Sequence, residues 1–310
     1  MTRFWLVLTL AIAPPAGAFE LALPVDCVLG ETCYIQQGFD HDPGPGAQDF
    51  TCGTLSYDGH DGTDFALPTR AAMEAGVAVI ATAPGKVTGI RDGVPDAAPF
   101  PDGQDCGNGV AVDHGGGWQT QYCHLMQGSV TVRPGDLVET GATLGMVGQS
   151  GNAEFPHLHL SVRKNGTEID PFASDLTSCG GEAVDIWSAP VALDPGGFLA
   201  AGFTNHVPEL PAIKAGMPNP DLTTKAPALV LWLYLFGTRS GDAIVVEITG
   251  PDGPFMTERI PLDKTQALSF RAIGRKLKTD AWPSGAYQAN ARLIRRGGDI
   301  DAINTEIILP

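Results

Sequence analysis

Cations, histidines and long apolar runs are all scarce in this chain. Nineteen Lys and Arg stand against 35 Asp and Glu, giving a formal charge of −16 over 310 residues. So acidic a surface argues against nucleic acid as a partner, and we read it as a solubility feature. The apolar run Ala228–Phe236 is too short to span a bilayer and reads as a buried strand, so stable membrane insertion is not expected. The cysteines show no CxxC spacing, which argues against a thiolate zinc site. There is no internal repeat between the two halves and no low-complexity tract.

The N-terminus has the form of an export signal. Arg3 supplies a short positive region, Phe4 to Ala13 an apolar one, and Ala16-Gly17-Ala18 a small-residue cleavage site. Residues 1–18 are therefore expected to be removed, leaving a periplasmic or secreted protein that begins near Phe19. No cysteine follows the cleavage site directly, so no lipid anchor is indicated. Cys27, Cys33, Cys52, Cys106, Cys123 and Cys179 all lie beyond it, an even number in an exported chain, which suggests disulfides. The sequence does not choose among their pairings. Cys106–Cys123 is favoured because the two flank a hairpin-like stretch, CGNGVAVDHGGGWQTQYC.

The length suggests two domains, since a single core rarely grows beyond about 250–300 residues. Residues 19–56 are rich in Gly, Pro and Asp and read as a loop-rich segment. From Val77 onward, short β-type runs alternate with Gly or Pro turns, which predicts an all-β domain over residues 57–180. Residues 91–107 interrupt it as a long surface loop, of the kind that walls a cleft. A linker rich in Gly, Ser and Pro follows, and residues 185–310 read as a C-terminal β-sandwich.

Seven histidines occur, at 41, 60, 114, 124, 157, 159 and 206. In HLHLSVR, strand alternation sends His157 and His159 to one face and Leu158 to the other. In GHDGTDFALP, glycines around His60 and Asp64 let an imidazole and a carboxylate turn toward one point. In YCHL, the same alternation places Tyr122 and His124 on one face. Each segment alone is more simply read as a turn or a half-buried strand. Two imidazoles and a carboxylate do, however, suffice for a catalytic zinc with an open position, which leaves two imidazoles for proton transfer. His114 and Tyr122 are read as scaffold, and His206 has no polar partners of metal-site type nearby in the sequence. His41 lies among acidic residues in FDHDPGPGAQDF, a segment that could fill the open metal position and hold the site latent.

Taken together and in order, GHDGTDFA, VAVDHGGGWQTQYCHL, GDLVETGATLGMVGQSG, PHLHL and IDP resemble the lysostaphin-type, LytM-like or M23, peptidoglycan metalloendopeptidases. The resemblance covers about residues 57–172 and leaves 19–56 and 185–310 outside it. It implies a mainly β fold: an antiparallel catalytic domain of the duplicated-hybrid-motif type, followed here by an Ig-like sandwich. It further implies one Zn²⁺ held by His60, Asp64 and His159, with His124 and His157 as the catalytic pair. The implied reaction is hydrolysis of peptide bonds in the stem or cross-link peptides of peptidoglycan by a zinc-activated water. The long 91–107 loop and Cys123 depart from the family pattern and bear on cleft shape. Two other readings stand beside this one: a non-catalytic regulator of wall amidases, and a wall-binding protein whose function lies in its C-terminal domain.

Overall fold

A computed structural model describes residues 18–217 and 220–310; the proposed export signal lies, except for Ala18, outside the described residues. In the N-terminal half the strands are β1 (Tyr34–Gln37), β2 (Thr63–Ala66), β3 (Ala78–Ile80), β4 (Gly85–Arg91), β5 (Asn108–Gly115), β6 (Trp118–Leu125), β7 (Leu137–Val138), β8 (Thr143–Met146), β9 (His157–Lys164) and β10 (Thr167–Glu168). One short helix, α1 (Arg70–Glu74), interrupts them and is capped by the Thr69 hydroxyl. The main sheet is antiparallel, in the order β1-β2-β9-β6-β5-β4-β7, with β10 on β9. A two-stranded β3–β8 sheet stands apart from it, and both contribute to one core.

Alternation along β9 builds that core. Leu158, Leu160 and Val162 are fully buried in it, joined by Phe65 of β2 and Tyr122 of β6. The opposite face of the same strands carries His157, His159 and Asp64. The segment before residue 57, expected as loop, is only partly so. Leu21, Val25 and Ile35 enter the core, and β1 pairs with β2 as an edge strand. Its Gly/Pro/Asp richness reflects the stretch around Asp42–Gly46, where Asp40 and Asp42 carboxylates accept from backbone N–H groups.

The C-terminal half contains β11 (Gly197–Thr204), α2 (Leu210–Ala215), β12 (Ala228–Thr238), β13 (Ala243–Gly250), β14 (Gly253–Pro261), β15 (Gln266–Lys276), β16 (Gly285–Arg295) and β17 (Gly298–Leu309). Sheets β11-β12-β15 and β14-β13-β16-β17 enclose a second core of Leu231, Leu233, Leu235, Ile244, Val246 and Leu293, among others. This is an antiparallel β-sandwich. Strand β11 has no alternating polar face, because its Phe198 and Phe203 belong to the sandwich core while its middle packs toward Trp232 and Tyr234.

The cysteines form three bridges, Cys27–Cys33, Cys52–Cys179 and Cys106–Cys123, so the favoured hairpin pairing is present. Cys52–Cys179 joins positions 127 residues apart and ties the segment after β10 back to the N-terminal loops. Long loops lose the most unfolded-state freedom when closed. Replacing Cys52 and Cys179 by Ser should cost about 2–5 kcal/mol, read as a lower midpoint in urea unfolding of the oxidised protein.

Candidate metal centre

Register brings the centre together. In the antiparallel β2–β9 pair, Asp64 lies directly opposite His159, and Ala66 opposite His157. Their side chains leave the sheet on the face away from the core. His60 comes from the turn before β2, where Gly59 has φ +76°. Its backbone N–H donates to the Tyr57 carbonyl at 3.0 Å, which folds the ring back over the sheet. The result is a compact group. Asp64 Oδ1 is 3.2 Å from His60 Nε2 and 2.9 Å from His159 Nδ1, and those two nitrogens are 3.1 Å apart. The side chains of His60, Asp64 and His159 are nearly excluded from solvent.

The remaining nitrogens settle how the rings are held. His60 Nδ1–H donates to the Gly38 carbonyl at 2.6 Å, leaving the Nε2 lone pair turned to Asp64. His159 is oriented the other way. Its Nδ1 faces the group, and its Nε2–H has two acceptors at 3.1 Å, the Asp61 carboxylate and the Ser161 hydroxyl. A metal-ligating imidazole commonly donates its second N–H to a carboxylate or a backbone carbonyl in this way. The donor set, its closeness and these outer partners all fit a divalent zinc-like ion held by His60, Asp64 and His159.

His124 and His157 stand beside the group. Their ring centroids are 4.6 Å apart, and His157 Nε2 is 3.6 Å from Asp64 Oδ1. Both have Nδ1 tied to a backbone carbonyl, Ser150 for His124 and Phe155 for His157, each at 2.8 Å. Each is thereby left with a free lone pair on Nε2.

The expected common face of Tyr122 and His124 is not found. Tyr122 points into the core, where its hydroxyl meets the Thr82 backbone N–H and side chain at 2.9 Å. His124 is on the other face because its backbone is left-handed, φ +65°. The β5–β6 register slips between Asn108 and Val110 at the same place. A bulge of this kind adds one residue and reverses the side-chain parity beyond it. A non-glycine residue at positive φ is strained and needs local support, here a 2.8 Å bond from His124 N–H to the Cys106 carbonyl.

His41 is not at the centre. Its Nε2 is 2.8 Å from Asp170 Oδ2, with both side chains buried. The neighbouring Asp40 accepts from the Gly59 backbone N–H at 2.9 Å, so this segment braces the turn that carries His60. His114 bridges the Pro84 carbonyl and the Thr120 hydroxyl, and His206 is exposed in the sandwich half.

Charge and burial shape the group together. Burial opposes ionisation of Asp64, but the facing His157 and His60, with the His159 hydrogen bond, outweigh it and hold the carboxyl well below its usual range. For His159, burial is outweighed by the bonds to Asp61 and Asp64, which raise it to about 9. Burial, aided by the nearby His157 and His159, pushes His124 down to about 3, and burial lowers His157 as well. An open groove of ≈ 210 Å³ leads from this point past Tyr57, Asp61, Asp105, His124 and Arg163. Asp105 and Cys106 belong to the loop expected to wall a cleft.

A sheet-borne, buried His–Asp–His group with two further imidazoles on one side has the donor set of a metal-dependent hydrolase centre. Residues 58–171 match the model of peptidase family M23. Among curated relatives, the peptidoglycan DD-endopeptidase ShyB of Vibrio cholerae is 32% identical over 117 residues, covering 38% of this chain and 23% of that protein. The DD-carboxypeptidase/endopeptidase Mpg of Neisseria meningitidis is 30% identical, with the same shares, 38% and 23%. This chain thus spans about a quarter of the length of these relatives. A zinc-containing peptidase from Vibrio cholerae is similar among solved structures at 28% identity over 51% of this chain and 40% of that one, with a TM-score of only 0.36.

Two supporting residues, Asp61 and Ser161, escaped sequence reasoning, and Gly62, read there as a turn glycine, has a second role. Asp61 sits next to His60 in GHDGTDFA, but only the fold puts it against His159. A Cβ on Gly62 would lie 2.5 Å from the Leu160 carbonyl oxygen and 2.6 Å from His159 Nε2. Gly62→Ala should therefore displace His159 and lower zinc occupancy by about tenfold or more, measured by metal analysis after dialysis. Asp61→Asn, which keeps an acceptor but loses the charge, should weaken zinc affinity by about tenfold in a chelator competition titration.

Proposed function

We propose that this chain is an exported zinc metalloendopeptidase that hydrolyses peptide bonds in peptidoglycan peptides. One observation carries the reading. The ligand atoms of His60, Asp64 and His159 lie within 4.8 Å of one another, His157 Nε2 is 3.6 Å from Asp64 Oδ1, and the His124 ring is 4.6 Å from that of His157, each ring fixed by a second hydrogen bond. The activities of the relatives, a peptidoglycan DD-endopeptidase and a DD-carboxypeptidase/endopeptidase, supply the bond class.

In this reading His60, Asp64 and His159 hold the ion. When bound, zinc supplies a Lewis acid that lowers the pKa of a water from 15.7 to about 7. His124 and His157 do the proton work. Burial keeps both rings neutral and their Nδ1–H bonds to backbone carbonyls leave the Nε2 lone pairs bare, so either can accept the water's proton and return it to the leaving amine. The ring that takes this proton becomes an Nε2–H donor, and in that form it can hydrogen-bond the oxyanion that develops on the attacked carbonyl. Substrate reaches them along the groove beside Tyr57 and Arg163.

The same reading divides the chain into a removable leader at 1–18, an N-terminal segment at 19–56, a peptidase domain at 57–180 and an accessory sandwich at 185–310. Three disulfides, with no cysteine left free, support an oxidising compartment.

Digestion of purified sacculi with and without chelator, followed by mass spectrometry of the released muropeptides, tests the reaction. Chelation should abolish release. His124→Ala should retain zinc and lose about 10²–10⁴ in turnover, whereas His60→Ala should lose the metal itself. Wild-type hydrolysis by His124→Ala would remove it from the mechanism.

A further inference from the structure

A second cleft, of ≈ 220 Å³, lies where the sandwich meets the peptidase sheet, and it shares no lining residue with the groove beside Arg163. One wall is Arg70, Gln149 and Phe155; the other, from the C-terminal half, is Pro211, Lys214 and Tyr234. Phe155 connects it to the chemistry, because its ring stacks on His157 at 4.4 Å between centroids. The cleft therefore begins one ring away from a proposed proton-transfer group.

The walls are fixed relative to each other. Tyr34 of β1 packs on Phe236 of β12 at 4.6 Å, in an apolar cluster that also takes in Ala66, Phe155, Leu199 and Leu268. The C-cap of α2, Gly216 at φ +96°, sits so near α1 that a Cβ there would come within 2.6 Å of Ala71 Cβ. Such close packing makes a pre-formed site, as ligand clefts between domains commonly are.

The charge of the cleft runs against that of the chain. In a protein of net charge −16, its three charged lining residues are Arg70, Lys214 and Glu154, two of them cations. Arg70 is aimed by a 2.8 Å bond from Nη2 to Gln149 Oε1. Lys214 has no hydrogen-bond or ion-pair partner among the described residues. Aromatic walls with two cations suit an extended peptide that carries free carboxylates.

We propose that this interdomain cleft is a substrate subsite, in which Arg70 and Lys214 bind a free carboxylate of the peptide whose scissile bond lies at His124 and His157. The sandwich half then supplies one wall of the binding site through Lys214 and Tyr234. The proposal rests on the peptidase reading for the identity of the peptide, but the binding itself is separable from hydrolysis.

The test uses the zinc-loaded full chain and a fluorescent D-alanyl-D-alanine-ended pentapeptide, prepared with free carboxylates and fully amidated. Fluorescence anisotropy should show about tenfold tighter binding of the free acid. Lys214→Gln should reduce that preference by about three- to tenfold, Lys214→Glu should erase it, and Lys214→Arg should keep it. Zinc content and melting temperature should stay at wild-type values, and in turnover the change should fall on KM. Equal binding of the acid and amide peptides, or wild-type binding by Lys214→Glu, overturns the proposal and assigns the cleft to another occupant. Lys214-dependent binding without any hydrolysis leaves the cleft standing and refutes the peptidase reading. Hydrolysis with no dependence on Lys214 does the reverse, and neither binding nor hydrolysis refutes both.

Discussion

The pairing of β2 with β9 is the constraint on which the rest depends. It sets Asp64 across from His159 on one face while Phe65, Leu158 and Leu160 enter the core on the other. A slip of one residue would bury the polar set and expose the apolar one, so the hydrophobic pattern that stabilises the sheet also fixes the metal centre. Gly62 follows from the same contact, since the chain entering β2 passes too close to the Leu160 carbonyl and the His159 ring for any side chain.

Around that pair, backbone carbonyls from separate segments orient the other rings. Gly38 holds His60, Ser150 holds His124 and Phe155 holds His157. Each bond chooses a tautomer and leaves the opposite nitrogen facing inward, without spending a charged side chain on the task. The N-terminal segment takes part through Gly38 and Asp40, and it is anchored in turn by the buried His41–Asp170 pair and the Cys52–Cys179 bridge. What reads as a loop-rich leader to the domain is part of the support of its centre.

Much of the β grammar was legible. The runs ending in HLHLSVR and YCHL are strands, as are APALVLWLYLFG and DAIVVEITG in the sandwich, because alternation and Gly turns are local properties of the backbone. The misreadings arose where distant contacts override local pattern. Strand β11 shows no clean alternation, because its apolar residues are divided between two cores. Strand β1 is short and gains its place only by pairing with β2. For Tyr122 and His124, alternation failed at the bulge, where the left-handed residue reverses the parity.

By itself the sequence determined which residues could do chemistry here. Histidine is rare in the chain, and strand alternation put His157 and His159 on one face, while glycines beside His60 permitted a tight turn toward Asp64. Only the tertiary structure decided their geometry and their company. Inter-strand register set Asp64 against His159, and a bulge brought His124 to the same side. The docking of the sandwich placed Lys214 and Tyr234 in a cleft beside Phe155. The physical reason is the range of the interactions. Alternation and turn preferences act over a few residues, whereas register, bulges and domain packing come from contacts between segments farther apart, 17 residues from Asn108 to Leu125 at the bulge and 95 from Asp64 to His159.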